Sequence, residues 1–393
     1  MAAALRVGFV SGWRHDDPNG WSGVISPMYA ALAERVDLVP MSTADLGDAL
    51  VDRAYCRIVG DRFGTYLPGH ALASSLRHGR VVTQWVRERQ VDVVLGVAAS
   101  VDVAFLGTPV PVVQVSDVTF AAVQSLYPLY ADLSPVLAVQ GRTISRRMTR
   151  RVSRTLAASD WAKKRLVLDD GVAPQSIDVA LFGPAISAAT VGGQPVAVAQ
   201  SDRGPWRLLV VAKDWYRKGG DRAVEAARLL AEGGLDVELR VVGAAAEEIV
   251  VPTVEPAGSR SGSGSLSVVR LGRLDKEALA RVYAAAHTLL DLTRGSAAGV
   301  TLTDAAEFGL PSVATRYGGV GSIVVDGQTG YLVDPDGDVA GEAARVLRAL
   351  FGTPGAHTAM SRAARERASS VLSWAAWADV AVASLSRARD ASG

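Results

Sequence analysis

Short apolar runs, each followed by a polar or glycine-containing loop and then a stretch with helical spacing, recur along the whole chain. In the first half, residues 5–10, 91–97, 110–115 and 178–182 read as strands, and 155–162 as a strand leading into a helix capped by Ser159. A helix over 26–35 follows the first of them, and helical stretches fill the later intervals. The second half repeats the pattern, with strands at 206–212, 237–242, 268–271, 289–292 and 312–315 and helices over 222–231, 276–287 and 301–308. Helices over 341–351 and 360–370 and a last one after Ser373 complete the chain. Strands alternating with helices predict the α/β class, with parallel sheets covered by helices on both faces.

At 393 residues the chain exceeds one comfortable core and predicts two domains. The polar, glycine-containing stretch 191–205 is the predicted linker, giving domains at 1–190 and 206–371 and a last helical segment at 372–393. A long irregular region, 244–266, contains a Ser/Gly-rich stretch over 259–265 that reads as flexible. Lys and Arg number 41 against 40 Asp and Glu, a balance that argues against a general nucleic-acid binder. Cys56 is the only cysteine, which rules out an internal disulfide framework and a multi-cysteine metal site. No carboxylate or histidine cluster has metal-ligand spacing, so neither a metal nor a cofactor is expected. No run approaches the roughly 20 apolar residues of a membrane span, and residues 5–10 are too short for a signal segment. A cytoplasmic protein is the expectation.

The chemistry concentrates at 291–335. An apolar strand end leads into a turn opened by Gly295 and Gly299, and then into a helix stopped by Gly309 and Pro311. Small residues feeding a helix N-terminus let a phosphate reach unpaired N–H groups at the positive end of the helix dipole. Asp304, one turn into that helix, is placed to accept hydrogen bonds from ribose hydroxyls. A second strand-end loop, 213–221, carries Lys213 and Lys218 at another helix N-terminus, with Gly219 and Gly220 allowing close phosphate approach. Two cations there would neutralise a diphosphate and stabilise its departure.

Gly299, Asp304, Ala305, Gly309, Pro311, Gly318, Gly319, Asp326, Gly327 and Gly330 fall, at the expected spacing, on the nucleotide-sugar signature of family 4 retaining glycosyltransferases. The segment 213–221 resembles the same family's Asp-Trp-x-Arg-Lys-Gly-Gly-Asp. The resemblance implies the GT-B fold, two doubly wound Rossmann-like domains facing a cleft, with the last helix crossing back to the first domain. It implies a donor site built from Lys213, Lys218, Ser296, the backbone around Ala298, Gly299, Val300 and Thr301, Asp304 at the ribose, and Gly319. Leu271 and Gly272 would lie against the nucleotide base. The family's first signature glutamate is Ser296 here, and its second is Asp304. A serine does not reproduce a carboxylate's charged hydrogen bonds to sugar hydroxyls.

The acceptor half matches less closely. Gly23, in a loop resembling that of a subset of these transferases, reads either as a close approach to donor phosphate or as a tight turn. Ser116-Asp117 lies past a strand end where many members carry His-Asp; Asp117 reads as an acceptor contact or as a turn cap. Arg142, Arg146, Arg147, Arg150, Arg151 and Arg154 form an acid-free run with helical spacing. It reads as a solvated face, or as a surface for anionic lipid or a phosphorylated acceptor. His287 and the pair Trp374 and Trp377 read as structural. The predicted function is retaining transfer of a sugar from a nucleotide diphosphate sugar, UDP being the expected base, to a small-molecule acceptor, with Lys218, Lys213 and Asp117 as the catalytic candidates. The alternatives are an unusual donor, an anionic acceptor, or a non-catalytic nucleotide-sugar-binding protein.

Overall fold

The computed structural model describes residues 5–59, 62–192, 204–249 and 264–391. The chain forms two compact units, Met1–Phe182 with Trp374–Gly393, and Gly183–Ser373. Most of the linker expected at 191–205, and of the flexible stretch at 259–265, lies outside the described residues.

The first unit holds six strands: β1 (Arg6–Ser11), β2 (Asp37–Ser42), β3 (Val93–Val97), β4 (Val112–Ser116), β5 (Arg154–Ala157) and β6 (Ile177–Val179). All pair in parallel, in the order β2-β1-β3-β4-β5-β6. Helices on both faces bury β3 and β4 completely, which is why β3 reads as an unbroken apolar run and β4 as a run interrupted only by Gln114 before Ser116. The edge strand β2, Asp-Leu-Val-Pro-Met-Ser, was not expected: it is only half-buried and includes Pro40, which an edge tolerates. Val10, Val94 and Val112 pack against Val82 and Val86 of the helix Leu72–Arg89 and Ile144 and Met148 of the helix Pro135–Arg151.

The helix Trp374–Asp390 belongs to this unit, packing on the helix Ile25–Ala33 and on strands β3 to β6. Trp377, Ala381 and Leu385 are buried, while Trp374 lies against Phe182 with ring centroids 6.1 Å apart. The stretch Ala356–Asp390 is long and apolar enough, by length and composition alone, to cross a membrane. It is nevertheless two separate helices, Ala356–Ser370 and Trp374–Asp390.

The second unit repeats the plan with β7 (Trp206–Val211), β8 (Val237–Val242), β9 (Leu266–Gly272), β10 (Thr288–Asp291), β11 (Ser312–Thr315) and β12 (Gly330–Val333). Its order is β12-β11-β10-β7-β8-β9, again all parallel. Leu208, Val210, Leu239 and Val241 pack beneath Leu230 and Leu347 of the helices Gly220–Glu232 and Val339–Gly352. In each unit the chain lays strands outward one way and then reverses, leaving a crevice at the C-terminal ends of two neighbouring strands. Those pairs are β1 with β3, and β7 with β10.

Candidate functional site

The β7 and β10 loops of the second unit are interlocked. Gly219, at φ +69, caps the helix Gly220–Glu232, and a Cβ there would overlap the carbonyl of Leu292. The Thr293 hydroxyl donates to the Arg217 carbonyl at 3.0 Å, and the Arg294 N–H donates to the same oxygen at 2.7 Å. The Arg217 guanidinium bonds both Asp214, at 2.9 Å, and the Gly295 carbonyl, at 3.0 Å. Arg294 lies 3.8 Å from the Tyr216 ring centroid and donates to both Asp221 oxygens, at 2.8 and 2.6 Å. The crevice is therefore held open by fixed backbone.

Lys218 is carried to its centre. Its Nζ stands 3.3 Å from Oδ2 of Asp291 and 3.5 Å from the Thr301 hydroxyl, which itself donates to Asp291 at 2.9 Å. Asp291 ends β10 and is buried, and its Oδ1 has no hydrogen-bond partner among the described residues. Thr301 opens the helix Val300–Glu307, capped by Gly299 at φ +64 with no side chain on its first N–H groups. The Leu302 and Thr303 N–H groups donate to the Gly299 carbonyl, at 2.9 and 3.3 Å, so an ammonium, a hydroxyl and the N–H groups of Val300 and Thr301 converge at one helix N-terminus. Gly318, at φ +59, presses against the Ser296 carbonyl, and the Gly319 N–H donates to the Ala297 carbonyl at 3.1 Å. Ser296 itself is buried in this loop.

The β1 and β3 crevice of the first unit is different. It opens a cavity of about 670 Å³ whose walls include Trp13, Trp21, Ala98, Asp117, Phe120 and Met148. Trp21, Ser22 and Ala98 hold left-handed backbone without being glycine, at φ +46, +63 and +47. Strain of that kind, of the order of 1–3 kcal/mol per residue, collects at ligand-facing positions. Asp117 is half-buried by area but deep in the cavity wall, and the loss of water pushes its carboxyl up to about 6. The Ser116 hydroxyl turns away, donating to the Val118 carbonyl at 3.0 Å.

Three comparisons bear on this geometry. Residues 205–351 match the family described as Glycosyl transferases group 1. Glycogen synthase of Mycobacterium tuberculosis is 30% identical over 201 residues, 49% of this chain and 47% of that protein. D-inositol 3-phosphate glycosyltransferase of Arthrobacter sp. (strain FB24) is 30% identical over 199 residues, covering 49% and 44%. The chain thus spans about half the length of the curated relatives it matches. Over 97% of this chain and all of the other, the fold superimposes on Anabaena HepE in complex with UDP and glucose, with TM-score 0.64 and 14% identity. The fold is GT-B.

Within the second unit the expected donor residues do not all stand alike. Lys218, Ser296, Ala298, Gly299, Val300, Thr301 and Gly319 share the β7 and β10 crevice. Lys213 follows β7 but is exposed, with no hydrogen bond or ion pair among the described residues. Leu271 and Gly272 end β9, two strands from β7 on the same edge of the sheet, with Gly272 at φ +60 and its carbonyl accepting the Gly243 N–H at 2.7 Å. Asp304 is fully buried: its Oδ1 accepts the N–H groups of Ala185 and Ile186 at 2.7 and 3.1 Å, and burial pushes its carboxyl up to about 7. Sequence gave no hint of this backbone clasp, because its donors lie more than a hundred residues away.

Asp291 was also missed. It sits in an apolar run, and an acid at a buried strand end beside a lysine loop was the available signal. His287 is structural as expected. Its Nδ1 accepts the Arg207 N–H at 2.9 Å, and burial lowers the ring to about 4.

In the first unit, Gly23 is buried at φ +84, a conformation that by itself calls for glycine. The arginine run divides. Arg151 donates to the Thr108 and Val110 carbonyls, and Arg154 pairs with Asp178, so these two are structural. Arg142, Arg146 and Arg150 lie along the exposed side of Pro135–Arg151, opposite the buried Ile144 and Met148, and Arg147 is exposed over Phe105.

Proposed function

We propose that the chain is a retaining glycosyltransferase that takes a sugar from a nucleotide diphosphate sugar, with UDP as the base carrier, and passes it to a small-molecule acceptor. The convergence of Lys218, Thr301 and the Gly299-capped helix N-terminus carries this reading. A diphosphate oxygen at that point meets a cation, a hydroxyl and oriented N–H groups, with no reorganisation needed as charge develops. The acceptor hydroxyl oxygen bonds to the anomeric carbon while the bond to the diphosphate breaks, both electrons of that bond leave with the nucleotide, and the hydroxyl proton passes to the departing diphosphate oxygen. The match of residues 205–351 to the group 1 glycosyl transferases and the superposition on a UDP-bound fold support the donor class. Lys213 is the outer cation of this site. Asp304 gives ribose at most its Oδ2, since Oδ1 is taken by backbone. Ser296 stands where a carboxylate would grip sugar hydroxyls, which favours a donor with fewer such contacts.

Calorimetry with UDP, GDP and ADP tests the proposal. UDP is expected to bind best, and Lys218→Ala to weaken it about tenfold or more, the scale of a hydrogen bond to a charged group. Absence of binding by all three nucleotides overturns the reading.

A further inference from the structure

The cavity of the first unit is long. It begins at the C-terminal strand ends, beside Trp13, Ala98 and Asp117, and its lining extends to Arg154 and Ser176. Arg154 is paired across the sheet with Val113, and Ala157 with Ser116. Those levels lie three residues apart, so the cavity runs roughly 10 Å along the strands at their usual rise. Its inner part passes between Phe120 and Val123 on one helix, Ile144 and Met148 on another, and Leu166 on a third. Phe120, Val123, Ile144, Met148 and Leu166 make an apolar middle, and polar residues stand at both ends, Ser116 and Asp117 at the outer one and Ser153, Arg154, Asp170 and Ser176 at the inner.

Its charges are muted. Arg154 is committed to Asp178, at 3.1 and 2.9 Å, and to the Gln175 carbonyl. Burial lowers His70, whose Nε2 meets the Tyr130 hydroxyl at 3.2 Å. Burial raises Asp170, which accepts the Ser145 hydroxyl at 2.8 Å. Among the described lining residues no cation is available for an anion, and an isolated anion would be desolvated without compensation. The exposed arginines of Pro135–Arg151 do not change this, because none of them lines the cavity.

We infer that this cavity takes an uncharged amphiphile, with a hydroxylated head at Asp117 and an apolar tail between Phe120, Ile144 and Met148, and that the acceptor belongs to this class rather than to the phosphorylated polyols. The strained backbone at Trp21, Ser22 and Ala98 marks the head end. The inference rests on the proposed transferase reading for the word acceptor; the binding preference stands on the cavity alone.

The test is calorimetry on the full chain with n-octyl β-D-glucoside below its micelle threshold, methyl β-D-glucoside and myo-inositol 1-phosphate, with UDP titrated into the same samples. The octyl glucoside is expected to bind at least about tenfold tighter than the methyl glucoside, since each buried methylene adds affinity. The inositol phosphate is expected to give no heat. Val123→Trp and, on the opposite wall, Met148→Phe should each erase the octyl advantage while leaving UDP binding and the thermal unfolding of the first unit unchanged, the latter showing that the unit carrying the substitution is folded. Equal binding of the two glucosides, tighter binding of the inositol phosphate, or an octyl advantage that survives in a variant still binding UDP overturns the inference. Octyl preference without UDP binding would keep the cavity and remove the donor reading.

Discussion

Two sheets of the same size and connection type end in two crevices of opposite construction. At β7 and β10 the loops are glycine-rich, laced by ion pairs, and aim cationic and N–H donors at one point. At β1 and β3 the loops are aromatic, hold non-glycine residues in left-handed backbone, and suppress the charges around them. The difference is chemical. A diphosphate is the same in every nucleotide, so it can be met by rigid backbone and one lysine, whereas an amphiphile is met by shape and exclusion of water.

The sharpest way to break the comparison is to remove backbone freedom from the first of these crevices. Gly219→Ala forces a Cβ against the Leu292 carbonyl at positive φ. A loss of about 2–4 kcal/mol is expected in urea unfolding of the second unit, together with loss of UDP binding. An alanine tolerated there would mean that the loop is adjustable and the contrast is overdrawn.

Charge gives the next largest effect. The Asp304 carboxyl titrates near 3.8 when unfolded and about 7 when folded, so the folded chain holds this proton more tightly. Unfolding releases it between those values, and stability falls as pH rises across that window. Asp304→Asn, whose carbonyl can still accept from Ala185 and Ile186, should lessen that fall and be more stable than the parent above pH 7, by chemical denaturation at a series of pH values. Asp117→Asn should act in the same direction over the narrower range from 3.8 to about 6. An unchanged pH profile in both would show that these carboxyls are better solvated than their surroundings imply.

Lys213→Ala is expected to weaken UDP by less than about threefold, because an exposed cation is screened by water and salt; a tenfold loss in calorimetry would put Lys213 inside the site. The smallest change is expected from Ser22→Gly, which relieves a left-handed residue. It should raise the melting temperature slightly, equivalent to about 0.5–1 kcal/mol, with octyl glucoside binding weakened. A lowered melting temperature would mean that Ser22 is not strained.

What could be read beforehand follows the same divide. The glycines at 219, 299 and 318 have a fixed spacing because each answers a local backbone demand, so these loops and the parallel α/β plan were legible. Strand β2 was not, since a half-exposed edge with a proline has no apolar run. Asp291 was passed over at the end of an apolar strand, and Asp304 read as a ribose contact only, because their partners are brought up by the fold. The cavity was invisible for a stronger reason: Phe120, Ile144 and Leu166 each look like ordinary core, and only their failure to meet leaves space.

The clasp made by Asp304 also bears on how the protein can be cut. Glu307 accepts the Ala188 N–H at 3.1 Å, and Lys276 donates to the Ala185 carbonyl at 2.9 Å, so residues 185–188 are stitched to both helices beside the donor crevice. A fragment begun at residue 205, where the family match begins, would leave a buried carboxyl, a glutamate and a lysine without these partners. The scission that keeps these partners is Gly183, where the second compact unit begins, because residues 185–188 then stay bound to the helices that carry Asp304, Glu307 and Lys276.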